Sequence, residues 1–415
     1  MLGHYTTGLC FDAPWGDTKS SRQSMGRSPR GSGEPMPGSR RGLQHLLRRT
    51  RILVTLGPAS SSLSAIRALI GAGADAFRIN FSHGSPEEQR RLIRRTRAAS
   101  RLLGREVAVV ADLQGPKLRV GEIENRSILV EKNSRLRLDQ DPAPGTPRRL
   151  SISVPNLRSA ARPGDPLLLG DGNVELRVER VSSDSIQTRV VQGGTILSHQ
   201  GIYLPRARLR GSILGSKDLS DLGLALSEGA DFIALSFVGS YRDVREARRA
   251  VRRRTKAPVG LIAKIERASA LDGIDGILHE SDGIMVARGD LGIEVPLERL
   301  AIEQKRLVAL AHQAGRPTIV ATQMLLSMVS SPRPTRPEAT DVANAILDGA
   351  DAVMLSEESA IGAFPTQAVA WMDRIARVTE TTIDRERFRA QRPSRGFPLT
   401  EEAVADAAVR TAEAI

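Results

Sequence analysis

The chain has 415 residues, 40% of them hydrophobic and 26% charged, a balance that suits a globular protein of two or three domains with a large core. A single cysteine, Cys10, excludes an internal disulfide and fits a reducing cytoplasm, and no apolar run approaches the ~20 residues that cross a bilayer. The formal charge of +13 invites a nucleic-acid partner, but much of the excess lies between Lys19 and Arg51 with no aromatics interleaved, so a solvated tail is the simpler account.

Residues 1–45 are rich in Gly, Ser, Pro and Arg without periodicity, which predicts a disordered basic tail. An organelle transit peptide has a similar composition, and initiation at Met25 or Met36 would shorten the tail, so its role stays open.

From Arg51 onward, short β-branched runs alternate with helix-period segments. The runs are Ile52–Leu56, Ala76–Phe81, Val107–Asp112, Phe232–Phe237, Val259–Glu266, Gly283–Ala287, Thr318–Thr322 and Ala352–Ser356. Eight strands, most followed by a helix, predict an α/β fold, a TIM (β/α)8 barrel over 46–116 and 217–390. Arg78, Asn80, Asp112, Ser236, Lys264, Glu266, Asp290, Thr322 and Glu358 all lie at or just past a strand's C-terminal end, the face on which such barrels carry out chemistry. Capping of strand ends covers one or two such residues, not the whole set.

The third unit breaks this rhythm. Over 117–216 the pattern becomes short alternating strands, Ser127–Val130, Arg135–Leu138, Leu167–Leu169 and Val174–Val178, with Asp171-Gly172 as a hairpin turn. That predicts a small all-β domain inserted after the third strand, a β-barrel able to act as a lid and exclude water. After the eighth strand, Thr366 to about Arg389 should form a long barrel helix. Residues 391–415 then read as a proline-containing linker, Arg392–Pro398, and one Ala/Val-rich helix, Glu401–Ile415, opened by a capping pattern at Thr400.

Within the predicted barrel, period 2 places Lys264 and Glu266 on one face of the fifth strand, with Ile265 opposite. Taken alone, the two could equally be a plain ion pair. Asp290, in the Gly-rich turn Arg288-Gly289-Asp290-Leu291-Gly292 after the sixth strand, supplies a second carboxylate, and two such groups suit Mg²⁺, which fills its octahedron with water and substrate oxygens. Backbone N–H groups of that turn would face an anion. Arg78 and Asn80 share a face of the second strand, and arginine suits a phosphate's paired oxygens. His83, just before Gly84, is better suited to the loop or a nucleotide than to general base catalysis.

These motifs resemble pyruvate kinases: ILVTLGP at Ile52–Pro58, RINFSHG from Arg78, ADLQGPKLR at Ala111–Arg119, AKIE at Ala263–Glu266, ARGDLGIE at Ala287–Glu294, ATQML at Ala321–Leu325, and PRPTRPEATDVANAILDGADAVMLSEES at Pro332–Ser359. They stand in that family's order and spacing over roughly 51–389. The resemblance implies transfer of a phosphoryl group from phosphoenolpyruvate to ADP with Mg²⁺, Mn²⁺ being an alternative. It implies Lys264 as the cation stabilising the phosphoryl group in flight, and Glu266 and Asp290 as metal ligands. Gly289, Asp290 and Thr322 would cradle the substrate carboxylate beside Ser236, with Thr322 or a water it holds protonating the enolate. Arg78 would grip phosphate. Arg119 and Lys217 would contact nucleotide phosphates, unless they are merely hinge-surface charges, while Asn80, Ser82 and His83 line the nucleotide side.

Many members of the family bind K⁺ through oxygens at the positions of Asn80, Ser82, Asp112 and Leu113, and carry an acid where this chain has Lys117. Lysine there accompanies K⁺ independence, because its ammonium takes the cation's electrostatic role beside Asp112. Gly239 and Glu357 are smaller departures that remove no catalytic group. Family members usually continue into a C-terminal α/β domain, of which only a first helix is expected here. A homo-oligomer paired barrel to barrel, located in the cytoplasm, completes what the resemblance implies. Two other activities stay open at this point: a Mg²⁺-dependent barrel lyase acting on pyruvate enolates, against which the inserted domain and PRPTRPE argue, and a catalytically silent paralogue, against which retention of the charged set argues.

Overall fold

The computed structural model describes residues 48–383 apart from 117, 155–156, 171 and 205–211, together with 404, 407, 408 and 411. The expected tail over 1–45, Cys10, Lys117, Asp171 and the linker Arg392–Pro398 therefore lie outside the described residues. The chain divides into two compact units, 1–381 and 382–415. In the second, Val404, Ala407, Ala408 and Thr411 are helical, and the Thr411 hydroxyl donates to the Ala407 carbonyl one turn back at 2.8 Å.

In the first unit, eight parallel strands close into a barrel: Arg51–Thr55, Ala76–Asn80, Ala108–Asp112, Phe232–Leu235, Gly260–Ile265, Gly283–Ala287, Thr318–Ala321 and Ala352–Leu355. Each pairs with its sequence neighbours, and the first pairs with the eighth through Arg51 and Ala352. All eight were legible as β-branched runs, with ends shifted by one or two residues.

The alternation of side chains along each strand explains how a packed core becomes a polar mouth. Leu53, Ala76, Ala108, Val110, Phe232, Ala234, Ile262, Met285, Ile319, Ala321, Ala352 and Met354 form the barrel's interior cluster. Two residues further along the same faces come Thr55, Arg78, Asp112, Ser236 and Lys264. One period-2 pattern thus supplies a hydrophobic plug below and a charged floor above it.

Helices between the strands begin where sequence chemistry says they should. Ser62 caps Leu63–Ala72, and Ser85 with Glu88 and Thr335 with Glu338 form reciprocal capping boxes on Pro86–Leu103 and Arg336–Asp348. The helix expected from Thr366 runs over Pro365–Glu380.

The insertion after the third strand is built from a six-stranded sheet, in the order Ile202–Tyr203, Pro166–Leu169, Val174–Val181, Ser185–Gln192, Arg135–Asp139, Arg149–Ser151, and a two-stranded sheet of Gly194–Leu197 with Ser127–Val130. Its own core includes Leu136, Leu138, Leu150, Leu167, Leu176 and Ile186. Two sheets replace the single β-barrel expected, and a short helix, Leu157–Ala160, interrupts the all-β pattern. The outgoing and returning crossovers are zipped together: Arg119 bridges Gly201, and Val120 N–H donates to the Gln200 carbonyl at 2.9 Å.

Candidate active site

Lys264 lies at the centre of the barrel mouth, almost fully buried. Its Nζ is 2.9 Å from Glu266 Oε1 and 3.1 Å from Asp112 Oδ1, and it donates to Ser236 Oγ at 2.7 Å. The Ser236 hydroxyl in turn donates a hydrogen bond to the Leu113 carbonyl at 2.7 Å. On the far side, Arg78 Nε donates to Asp112 Oδ2 at 2.6 Å, and its guanidinium also reaches Thr55 Oγ1 at 3.2 Å. Burial alone would pull the lysine down, but Asp112 and Glu266 outweigh it and hold the ammonium above the usual lysine range. Burial likewise opposes the charged form of Asp112, yet Lys264 and Arg78 keep its carboxyl below the ordinary range. Both groups are therefore ionised at neutral pH.

Glu266 behaves in the opposite sense. Burial and the neighbouring carboxylates Asp290 and Asp112 push it up, against the pull of Lys264. Its Oε2 accepts the Phe237 N–H at 2.8 Å, which pins Phe237 in a left-handed backbone conformation with φ +58°. With all five groups ionised, Lys264 and Arg78 do not neutralise Asp112, Glu266 and Asp290, and one negative charge remains in excess. Among the described residues no group of three or more His, Cys, Asp or Glu converges as a complete metal cage. Two mutually repelling carboxylates fit Mg²⁺, a hard ion that takes only one or two protein carboxylates and fills its remaining positions with water and substrate oxygens. A soft-metal or structural zinc site would need thiolates or imidazoles, and among the described residues no such cluster forms.

The sixth strand runs straight into the short helix Arg288–Glu294, which carries Gly289 and Asp290 in its first turn. Gly289 N–H donates to Thr322 Oγ1 at 2.9 Å, so this amide already has a partner, and the expectation that it faces a bound anion is met only if the hydroxyl moves. A Cβ at Gly289 would stand 3.3 Å from Thr322 Cγ2, so a side chain there would push the threonine by a few tenths of an ångström. Thr322 and Gln323 have φ +72° and +54°, a conformation that costs a β-branched residue about 1–3 kcal/mol. Arg288 holds it there. The guanidinium donates to the Thr322 carbonyl at 2.8 Å and grips both oxygens of Asp341 at 2.7 Å.

The remaining expected residues divide. Asn80 Oδ1 accepts the Ser82 N–H at 3.0 Å, closing the loop after the second strand, and His83 is exposed beyond it. Lys217 Nζ donates to the Phe81 carbonyl at 2.7 Å and pairs with Asp221 at 2.5 Å. Arg119 donates to the His199 carbonyl at 3.0 Å within the crossovers. Glu358, grouped in sequence with the chemical residues, is fully buried and accepts backbone N–H groups of Leu325 at 3.0 Å and Ser356 at 2.7 Å. It ties two loops together rather than facing the mouth.

Three contributors were given no role by the sequence. Tyr203, in the inserted domain, donates its hydroxyl to Asp290 Oδ1 at 2.8 Å. Arg288 sits inside a motif whose chemistry drew attention to Asp290 instead. Glu294 accepts the Ala268 N–H at 3.3 Å, and burial pushes its carboxyl up, reinforced by Asp290 and opposed by Arg267.

Comparison with known proteins identifies the family. The family model described as pyruvate kinase, barrel domain, matches residues 47–369. A pyruvate kinase of Agrobacterium vitis is 48% identical over 335 residues, covering 80% of this chain and 70% of that protein. One of Methylorubrum extorquens is 44% identical over 369 residues, covering 89% and 76%. The crystal structure of a pyruvate kinase from Cryptosporidium parvum superposes with a TM-score of 0.85 at 36% identity, covering 91% of this chain and 79% of that one. The chain belongs to the pyruvate kinase family of phosphotransferases.

Proposed function

We propose that the chain moves a phosphoryl group from phosphoenolpyruvate to ADP, and that its charged barrel mouth is where this happens. The observation that carries the proposal is the buried Lys264 ammonium between Asp112, Glu266 and Ser236. A transferring phosphoryl group spreads charge over its oxygens, and a fixed, dry cation is what stabilises it. Asp112 and Glu266 hold Lys264 charged and in place; Arg78, anchored on Asp112, grips phosphate oxygens from the other side. Bound between Glu266 and Asp290, Mg²⁺ (or Mn²⁺) would neutralise the excess negative charge and polarise substrate oxygens. Thr322 orients the substrate carboxylate with Gly289 and Asp290 and, directly or through a water, moves a proton to the enolate carbon. Asn80, Ser82, His83, Arg119 and Lys217 serve the nucleotide.

Lys117 replaces a bound K⁺, so the reaction runs without it. Among the described residues no helix is long and apolar enough to cross a membrane, and a cytoplasmic enzyme is the corresponding proposal. A homo-oligomer belongs to the same proposal, on the resemblance to the family.

Purified chain supplied with phosphoenolpyruvate, ADP and Mg²⁺ should form pyruvate and ATP. Lys264→Met should lower kcat about a thousandfold or more, with less effect on substrate binding. Aldol cleavage without nucleotide would favour a barrel lyase instead, and no turnover of either kind a silent paralogue.

A further inference from the structure

Tyr203 lies on the returning crossover of the inserted domain, in the two-residue strand that pairs with Pro166–Leu169. Its neighbours Ile202 and Leu204 both enter the insert's core. Alternation along extended backbone then sends Tyr203 the other way, toward the barrel, where only 5% of it is exposed and its hydroxyl donates to Asp290 Oδ1 at 2.8 Å. The same crossover is tied to the outgoing one by the Ile202 N–H on the Leu118 carbonyl at 3.1 Å. One phenol thus joins the barrel's carboxylate turn to both chain crossings of the insert.

We propose that Tyr203 is a positioning residue that couples divalent-cation binding at Asp290 to the disposition of the inserted domain. This rests on Asp290 being a metal ligand. A carboxylate accepts on two oxygens, so a hydrogen bond at Oδ1 fixes the plane in which the group meets a cation without removing its capacity to ligate. Such a partner raises metal affinity by orienting the ligand in advance. By linkage, whatever the crossover's position does for the cation, the cation does for the crossover. The contact joins two parts of the chain 87 residues apart, so it restrains the insert as local packing could not.

The chain has three tyrosines, Tyr5, Tyr203 and Tyr241, so 3-fluorotyrosine labelling gives three fluorine resonances, assigned by elimination with Tyr5→Phe and Tyr241→Phe. Mg²⁺ alone should shift the Tyr203 signal and leave that of Tyr241, on an exposed helix, in place. In a parallel titration followed by Mn²⁺ electron paramagnetic resonance, Tyr203→Phe should bind Mn²⁺ about tenfold more weakly than the parent chain. Hydrogen exchange at Val120 and Ile202 should slow on Mn²⁺ addition in the parent and no longer respond in Tyr203→Phe at saturating Mn²⁺. Unchanged Mn²⁺ affinity in Tyr203→Phe overturns the proposal, as does a Tyr203 resonance indifferent to Mg²⁺, a measurement that stands even if the substitution costs the fold. Asp290→Asn separates the two levels. Should it bind Mn²⁺ as the parent does, the ligand assignment itself falls; should it lose Mn²⁺ while Tyr203→Phe does not, only the role of Tyr203 falls.

Discussion

Lys264 and Arg78 approach Asp112 from opposite sides, one oxygen each, at 3.1 Å and 2.6 Å. Two cations can stand this close in a buried mouth only because that carboxylate is ionised between them. Asp112→Asn should therefore destabilise the chain by about 3–5 kcal/mol at neutral pH, the cost of leaving buried charges unmatched. The sign of the pH dependence follows from the depressed carboxyl. Its stabilisation is complete above the ordinary carboxylate value of about 3.9 and is lost as pH falls through the lower value it has when folded. Urea unfolding of parent and variant should show a gap that is widest at neutral pH and narrows in acid; a constant gap would mean that charge is not what the aspartate supplies.

Glu266 should make Mg²⁺ binding pH-dependent in a defined direction. Its carboxyl is pushed up by burial and by Asp290 and Asp112, so without a cation it takes a proton at higher pH than a free glutamate, whose value is about 4.3. Proton and cation compete for that carboxylate. The rise in thermal midpoint on adding Mg²⁺ should be full near pH 8 and shrink as pH falls through the raised value, well before Asp112 titrates. Glu266→Gln should show a smaller rise that no longer varies over this range. A Mg²⁺ effect that stayed constant down to about pH 4 would remove Glu266 from the metal site.

The barrel and the charged half of this mouth were legible because both follow from the same period. Val110 and Asp112, Ala234 and Ser236, and Ile262 and Lys264 are pairs two residues apart, apolar then polar, and a parallel strand shows that step plainly. Inside the insertion the signal was weaker. Ser185–Gln192 buries Ser185, Ile186, Thr188 and Val190, and the Thr188 hydroxyl is satisfied by donating to the Leu136 carbonyl at 2.7 Å, on the neighbouring strand but 52 residues earlier in the chain. Long-range pairing also explains Glu358, which looks like an active-site acid in sequence and is a loop tie in space. Tyr203 was missed for a related reason: a lone tyrosine in a short strand says nothing until the turn bearing Asp290 is seen beside it.

Arg288 should be irreplaceable by lysine although the charge is kept. Its guanidinium makes a paired contact with both oxygens of Asp341 while donating to the Thr322 carbonyl, and an ammonium, with its three donors on one nitrogen, does not reproduce that planar fork. Thr322 would then be freer to leave its left-handed conformation. Arg288→Lys should lower stability by about 1–3 kcal/mol and reduce kcat more than it raises KM for phosphoenolpyruvate, since the displaced group is the proposed proton relay. Asp341→Asn, which weakens the anchor but leaves the arginine's contact with Thr322, should show the same split to a smaller degree. If Arg288→Lys instead changed KM alone, Arg288 would be a substrate contact and not a support for Thr322.

Activity without K⁺ is the expectation that separates this chain most sharply from many of its relatives. A monovalent cation in the family's site would need oxygens from Asn80, Ser82, Asp112 and Leu113. Here Asn80 Oδ1 already accepts the Ser82 N–H, and both oxygens of Asp112 accept from cationic side chains. The Leu113 carbonyl takes the Ser236 hydroxyl. Each of these acceptors has further lone pairs, so the contacts alone do not forbid K⁺; what opposes it, on the proposal that Lys117 takes the cation's electrostatic role, is the added positive charge of that lysine. Rates measured in K⁺ and in tetramethylammonium at equal ionic strength should agree within about twofold, and Lys117→Glu should make the enzyme K⁺-dependent by restoring the acid that the cation needs. A parent chain activated more than about tenfold by K⁺ would show that the ammonium does not occupy the cation's role, and that Asp112 keeps an oxygen for a cation the protein does not itself supply.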